Sequence, residues 1–182
     1  TRKKAAAISE SFRAQSELRG VMMFFKDYMG TGEITKVYKQ LGASAVGVVK
    51  ENPYILCNGE YGVSFEKADS IAASFGFDPD CDVRVLSGIN YVLGYNAGVN
   101  GHTCLPKEKL ISATAELLAI PESNVAGKMS TFIKNENICL YSILDNDFIM
   151  TPEVNYREEY ISKKLKSLSR DVVQLSSMDI SS

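Results

Sequence analysis

Met29-Gly30-Thr31-Gly32 and Tyr61-Gly62-Val63-Ser64 are two glycine-marked turns, and each stands directly before a short amphipathic helix. The first predicted helix ends at Leu41-Gly42 and the second at Phe75-Gly76, an offset of 34 residues from position 42 to position 76. The apolar positions recur at the same offset, with Ile34, Val37 and Leu41 falling on Ala68, Ile71 and Phe75. A tight turn before a helix exposes backbone N–H groups, which are good donors to an anionic oxygen. The doubled unit therefore predicts a grip on nucleic-acid phosphate.

The composition is that of a globular protein with one or two domains. The chain has 182 residues, of which 45% are hydrophobic. No run of residues approaches the roughly 20 apolar residues that a membrane-spanning helix needs. The basic start at residues 2–4 leads into a short alanine run and then polar residues, which argues against a signal peptide. Because the sequence begins with Thr1 rather than Met, we expect an excised part of a longer cytoplasmic protein without a membrane partner.

The charge is distributed unevenly, although the net charge is only −2. Residues 1–50 carry nine Lys and Arg against four Asp and Glu, a balance of +5. Residues 51–160 carry seven against sixteen, a balance of −9. A polyanion such as DNA is attracted to the first segment and repelled by the second.

The hydrophobic period predicts four helices in the first 76 residues, over 8–29, 33–41, 44–51 and 64–76. Gly30 is expected to end the first helix. Pro53 ends the third, because the residue before a proline disfavours helical backbone. Ser64 is expected to cap the fourth helix, with Lys67 at its third position.

The acidic segment 77–82 contains Pro79 and follows a helix stop, so it predicts a domain boundary. Beyond it the pattern predicts a helix, a short extended segment, two helices, two strands and a last helix, over 83–97, 101–106, 107–118, 121–134, 138–144, 148–151 and 156–168. The turn between the strands is expected at Asp145-Asn146-Asp147, and 171–182 is expected to be a tail or linker. This order of elements is typical of a winged helix.

No pattern in the chain predicts catalysis, a metal or a cofactor. The one Gly-Lys pair, Gly127-Lys128, is followed by Met129 and lacks the upstream glycine of a phosphate-binding loop. His102 is the one histidine and has no second ligand set or nucleophile to act with. The acidic segment 77–82 lacks the glycine and the bidentate Glu of a calcium loop. The scattered cysteines are expected to be buried, reduced thiols: Cys57, Cys81, Cys104 and Cys139.

Three motifs in order carry a resemblance to a known family: Glu51-Asn52-Pro53-Tyr54, Gly-Val-Ser-Phe-Glu-Lys-Ala-Asp-Ser-Ile-Ala over 62–72, and Gly101-His102-Thr103-Cys104-Leu105-Pro106. From about Ser9 to Leu168 the chain resembles the N-terminal region of bacterial RecD-like ATP-dependent DNA helicases, relatives of the exodeoxyribonuclease V alpha chain. The resemblance implies a mainly α fold, with a tandem helix-hairpin-helix domain over 1–77. A winged-helix-like α+β domain with a small β-hairpin follows over 78–152. A C-terminal helix and linker over 153–182 then lead toward motor domains outside this sequence.

The resemblance also implies a function. Such helicases unwind DNA in the 5′ to 3′ direction with ATP and Mg²⁺, in DNA repair and recombination. Since the chain has no ATPase motif, we expect it to be inactive alone and to hold no cofactor. Its expected partners are DNA, bound without sequence preference, and the motor domains of the same polypeptide.

The predicted DNA contacts are the backbone N–H groups of the two turns and the lysines that follow them. They comprise Gly30, Thr31, Gly32, Lys36, Lys39, Gly62, Val63, Ser64 and Lys67. The family's second hairpin glycine is replaced by Ser64, so we expect the first turn, in the basic third, to do most of the holding. The alternative is a protein-interaction module that packs on the motor or a partner without contacting DNA. The −9 balance over 51–160 and the missing hairpin glycine favour that alternative.

Overall fold

The computed structural model describes residues 2–57 and 59–176, and the chain divides into two compact units, 1–91 and 92–182. The division falls within one helix, α5 (Asp82–Asn100). The described residues are mainly helical and include a small antiparallel sheet of three strands, the fold class that the sequence predicted. None of the helices in the described ranges combines the length and hydropathy that crossing a membrane requires.

Unit 1 consists of helices joined by short turns. In chain order the elements are α1 (Arg2–Phe25), α2 (Thr31–Leu41), a 3₁₀ turn (Gly42–Ser44), α3 (Ala45–Glu51), a 3₁₀ turn (Pro53–Cys57), α4 (Phe65–Ser74) and the first half of α5. The core of the unit is made by side chains that are fully buried, among them Phe25, Val37, Val49, Leu56 and Phe65. Burial of each such side chain contributes about 1.5–3 kcal/mol, so this apolar core holds the short helices together.

Two predicted boundaries of α1 are wrong. The helix begins at Arg2 rather than at residue 8, and it ends at Phe25 rather than at Met29. The backbone N–H groups of Tyr28 and Met29 both donate to the carbonyl of Phe25, which closes the helix in a turn. Gly30 therefore does not end α1, and instead caps the start of α2.

The end of α4 is formed as the sequence predicted. Gly76 has a φ of +81°, a conformation that costs a residue with a side chain roughly 1–2 kcal/mol. The N–H of Phe77 donates to the carbonyl of Ala72, and the N–H of Gly76 donates to that of Ala73. This paired pattern satisfies the last carbonyls of the helix.

A polar cluster of Tyr54, Asp69 and Arg84 fixes the second half of unit 1. Arg84 donates from Nε and Nη2 to the two carboxylate oxygens of Asp69, both at 2.7 Å, and the hydroxyl of Tyr54 donates to the same carboxylate at 2.6 Å. Arg84 also donates to the carbonyl of Pro79. The ring of Phe65 stacks on Tyr54 with centroids 5.6 Å apart. The cluster therefore joins the 3₁₀ turn, α4, the loop after it and the start of α5.

Burial and hydrogen bonding act against each other at Asp69. Burial raises the pKa of its carboxyl, but the hydrogen bonds from Arg84 and Tyr54 and the charge of Arg84 outweigh burial and hold this pKa below its ordinary value. In turn, burial and the hydrogen bond to Asp69 raise the pKa of the Tyr54 hydroxyl far above its ordinary value, so it stays a donor.

Unit 2 surrounds the small sheet. After the second half of α5 come β1 (Leu105–Pro106), α6 (Lys107–Leu118), α7 (Glu122–Lys134), β2 (Cys139–Ile143), β3 (Asn146–Met150) and α8 (Pro152–Ser176). The strand order is β1-β3-β2, and both pairings are antiparallel. Buried side chains of the helices and strands share one core: Leu110, Leu118, Met129, Ile138 and Ile149. The order of elements along the chain is the predicted one.

Two details of unit 2 differ from the prediction. Ile143 pairs with Asn146, so the hairpin turn is Leu144-Asp145 alone rather than Asp145-Asn146-Asp147. Both turn residues have positive φ, 47° and 64°, as a two-residue turn between twisted strands requires. The helix α8 continues through residues 171–176, which were predicted to be part of a tail, while residues 177–182 lie outside the described part of the chain.

The cluster around Asp69 makes the stability of the protein depend on pH. Between the lowered folded-state pKa and the ordinary Asp value of about 3.9, the unfolded chain binds more protons than the folded chain. The free energy of unfolding should therefore rise with pH across that window, level off above it, and lose this contribution as the pH falls through the folded-state pKa. Urea denaturation between about pH 2.5 and pH 6 measures the effect.

Asp69→Asn should lower the free energy of unfolding at neutral pH and flatten its dependence on pH in the acid range. Asp27→Asn is the matched control, because Asp27 is exposed and has no ion pair among the described residues. Equal pH profiles for the two variants would show that the Asp69 cluster does not contribute.

Candidate nucleic-acid interface

The starts of α2 and α4 are equivalent positions of the repeat. Gly30 is the N-cap of α2 and Ser64 is the N-cap of α4, an offset of 34 residues. At the same offset, Glu33 and Lys67 occupy the third helical positions. Gly62 is consequently not the counterpart of Gly30. The turns resemble each other in sequence over their glycines, but the helices that follow are aligned two residues further along.

Glu33 and Lys67 form an ion pair between these equivalent positions. The Nζ of Lys67 lies 2.8 Å and 2.9 Å from the two carboxylate oxygens of Glu33. The same carboxylate accepts the backbone N–H of Gly30 at 2.8 Å. Partial burial opposes the charge of Glu33, but these hydrogen bonds and the charges of Lys67 and Lys36 outweigh it and lower the pKa of Glu33. The N-cap donor of α2 and the charge of Lys67 are thus already used within the protein.

Two donors at the start of α2 remain available. Thr31 and Gly32 occupy the first two helical positions, where the helix itself supplies no acceptor. Their N–H groups have no acceptor within the described ranges, and both residues are exposed. The helix dipole adds a partial positive charge at this end. An anionic oxygen can therefore bind here from solvent.

The second turn is arranged differently. Gly62 has a φ of +73°, and a Cβ added to it would lie 3.2 Å from the Nζ of Lys36. Val63 is buried, so it holds the turn onto the core, while the hydroxyl of Ser64 accepts the N–H of Lys67 at 3.4 Å. Glu60 and Glu66 flank the turn and are exposed, so two negative charges surround its donors.

The lysines predicted to bind DNA fall in three different settings. Lys36 lies beside Gly62 on the second turn. Lys39 is exposed in the last turn of α2, about 12 Å along the helix axis from Thr31. Lys67 is half-exposed and paired with Glu33. Lys36 and Lys39 have no carboxylate within ion-pair distance among the described residues.

A groove that the sequence analysis missed lies between α1 and the start of α2. Its volume is about 430 Å³, and it opens beside the free donor of Thr31. The groove is lined by Arg19, Met22, Met23, Lys26, Met29, Gly30, Thr31 and Ile34. The seven-residue spacing of Arg19 and Lys26, which places both on one face of α1, was the sequence signal that could have indicated it.

The motif residues that carried the family resemblance are mostly structural. Tyr54 and Asp69 belong to the buried polar cluster, and Phe65 packs on Tyr54. Asn52 accepts the N–H of Tyr54 with its side chain, which shapes the turn after α3. Leu105, from the third motif, pairs with β3 in unit 2. Arg84, which completes the cluster, lies outside all three motifs and was not predicted.

The described residues contain no group of three or more His, Cys, Asp and Glu side chains arranged to hold a metal. The four cysteines are free, and they are half-buried rather than buried as predicted. Burial raises the pKa of the Cys57 thiol to about 11, which makes it a poor nucleophile at neutral pH.

A model of one protein family matches residues 14–104, half of the chain, and it describes the HHH domain of the ATP-dependent RecD2 DNA helicase. The matched region begins within α1 and ends just before β1, so it includes both glycine-marked turns and the polar cluster. It agrees with the resemblance carried by the three sequence motifs.

Alanine substitutions at two glycines should have opposite effects on stability. Gly62→Ala requires positive φ and crowds Lys36, so we expect a loss of about 1–2 kcal/mol in the free energy of unfolding. Gly32→Ala lies in open space in the first turn of α2, so a gain of about 0.4–1 kcal/mol is expected. Urea denaturation of both variants measures the difference. If Gly62→Ala were as stable as Gly32→Ala, the backbone of the second turn would not have the described geometry.

Proposed function

Because the chain belongs to the family of RecD2 DNA helicase HHH domains, we propose that it is the non-catalytic N-terminal accessory region of an ATP-dependent 5′ to 3′ DNA helicase. In this proposal the chain binds or guides DNA through the phosphate backbone, without sequence preference, in DNA repair and recombination. The rest of the polypeptide supplies the motor domains. ATP and Mg²⁺ would be bound there, since this sequence has no G-x-x-x-x-G-K-[ST] loop.

The observation that carries the proposal is the pair of free, exposed N–H groups at Thr31 and Gly32. They stand at the positive end of α2, in the segment of the chain with a surplus of Lys and Arg. Backbone donors contact phosphate equally well in every sequence, so binding here would be non-specific. The two groups can reach one phosphate, and the lysines add attraction at longer range.

We assign a smaller share of DNA binding to the second turn. Gly62, Val63 and Ser64 would present backbone N–H groups, with the Lys36 amine beside them. Glu60 and Glu66 oppose an approaching phosphate at this place, and the charge of Lys67 is offset by Glu33. Repulsion between like charges therefore favours the first turn as the main contact.

For the rest of the chain we propose the predicted domain roles. Residues 78–152 would be a winged-helix-like scaffold, supported by the order of its helices and by its antiparallel sheet. The tip of its hairpin, Leu144-Asp145, is not suited to phosphate, because it carries an apolar and an acidic side chain. Residues 153–182 would lead toward the motor domains.

Gly32→Ala tests the phosphate contact directly. The added methyl group meets nothing in the protein, but it would stand beside the N–H groups where a phosphate must approach. We expect the variant to fold with unchanged or higher stability and to bind DNA roughly three- to tenfold more weakly, because the approach of the phosphate is hindered. Fluorescence anisotropy with single-stranded, duplex and forked DNA at about 50 and about 200 mM salt measures this.

The matched control for Gly32→Ala is Gly47→Ala, an exposed position of α3 where an added methyl group also meets nothing. Equal binding by the two variants would remove the contact at α2. Absence of salt-sensitive binding of the parent chain to all three DNAs would contradict the DNA-binding proposal itself.

A protein-interaction module remains the alternative, and one observation favours it. The β2–β3 hairpin of unit 2 exposes apolar side chains, with Tyr141 47% exposed, Ile143 53% and Leu144 90%. Exposed apolar surface of this kind is typical of protein contacts.

The double variant Lys36→Glu, Lys39→Glu separates the two functions in the full-length helicase. The DNA-binding proposal predicts weaker, less processive unwinding, because two positive charges near the turns become negative. If unwinding were unchanged while partner binding or stability changed, the interaction role would be the correct one.

A further inference from the structure

We propose that the groove between α1 and α2 is a binding site for single-stranded nucleic acid, with Arg19 and Lys26 as phosphate-binding residues and methionines as the surface for the bases. The inference rests on the proposed DNA-binding function and names its substrate class. It adds residues outside both glycine-marked turns.

The groove combines a cationic rim with an apolar interior. Met29 and Ile34 form its floor and are nearly fully buried, at 5% and 3% exposure. Met22 lies half-buried at the wall, and Met23 is exposed along the rim. The volume of about 430 Å³ lies within the range of small-ligand sites, about 300–1,000 Å³. This space suits a nucleotide better than it suits a whole duplex.

The two cations of the rim are not neutralised by the protein. Arg19 and Lys26 are exposed, and neither has a carboxylate within ion-pair distance among the described residues. By contrast, Arg13 on the same helix is paired with Glu17. Arg19 and Lys26 stand two helical turns apart, about 10 Å along the axis of α1. They can therefore contact different phosphates of one strand lying along the groove.

The donor of Thr31 opens into the same groove. A strand in the groove can thus place one phosphate at the start of α2 and its neighbours beside Arg19 and Lys26. The three contacts lie around one apolar floor, so a base attached to the bound backbone can be buried against it.

The apolar floor indicates single-stranded rather than duplex nucleic acid. In a duplex the faces of the bases are stacked inside the helix, and only phosphates and groove edges are accessible. A single strand leaves its bases free, and burial of their faces on an apolar surface contributes to affinity. Methionine side chains are flexible and carry no strong hydrogen-bonding group, so they accommodate any base. The groove would accordingly hold a single strand without sequence preference.

Anisotropy titrations of the whole chain with a labelled oligothymidine of about 15 nucleotides, and with a blunt duplex of the same length, test the proposal. The parent chain should bind the single strand more tightly than the duplex. In the double variant Arg19→Gln, Lys26→Gln, single-strand affinity should fall roughly tenfold to a hundredfold at about 50 mM salt, and the slope of log K against log salt should become shallower by about 1.4.

Two further variants sharpen the test. Lys109→Gln, Lys134→Gln removes the same charge from exposed lysines of unit 2 and should change single-strand affinity less than twofold. Met23→Ser removes exposed apolar surface from the groove and should weaken binding roughly threefold to tenfold with an unchanged salt slope, because no ionic contact is lost.

Three results would overturn the inference while leaving DNA binding intact. They are duplex binding as tight as single-strand binding, equal losses in the two charge variants, and unchanged single-strand affinity in Arg19→Gln, Lys26→Gln. A parent chain that binds neither DNA would instead refute the proposed function. Circular dichroism melting of each variant confirms that the fold is retained.

Discussion

The ion pair between Asp69 and Arg84 is the constraint on which the arrangement of unit 1 depends. Two hydrogen bonds of 2.7 Å and a third from Tyr54 satisfy a carboxylate that is largely removed from water. Loss of one partner would leave the other charge poorly solvated, which costs about 3–5 kcal/mol for a fully buried pair and less for this partly exposed one. The cluster orients α4, and through α4 it places Ser64 and Lys67 opposite the start of α2.

The ion pair of Glu33 and Lys67 gives the tandem repeat its asymmetry. The two residues are equivalent by the 34-residue offset, yet they have opposite charges, and each neutralises the other. The result is an N-cap of α2 whose first donor is used internally, while the next two donors stay free. The second turn has a lysine amine beside its glycine but acidic residues on both sides. A repeat in sequence has thus become two different surfaces.

Family recognition and ligand binding rest on different residues of this chain. The motifs that identify the family supply the aromatic stack, the polar cluster and the pairing of β1, which all maintain the fold. The surface proposed to contact DNA consists of exposed backbone donors and long cationic side chains, among them Arg19 and Lys26, which belong to none of the motifs. A match to the family model therefore supports the architecture directly and the binding surface only indirectly.

The sequence by itself determined the kinds and the order of the elements, because hydrophobic period, proline and N-cap residues act over a few neighbouring positions. It predicted the bounds of α6 and placed the cap at Ser64 and the stop at Gly76. It could not predict that α1 ends at Phe25, that Gly30 caps α2, or that the hairpin turn is Leu144-Asp145, since local sequence allowed each neighbouring choice. Only the tertiary structure brought Glu33 to Lys67, Asp69 to Arg84, and Arg19 and Lys26 to the start of α2. Those pairings depend on how helices pack through an apolar core, and the spacing of residues along the chain does not encode that packing directly.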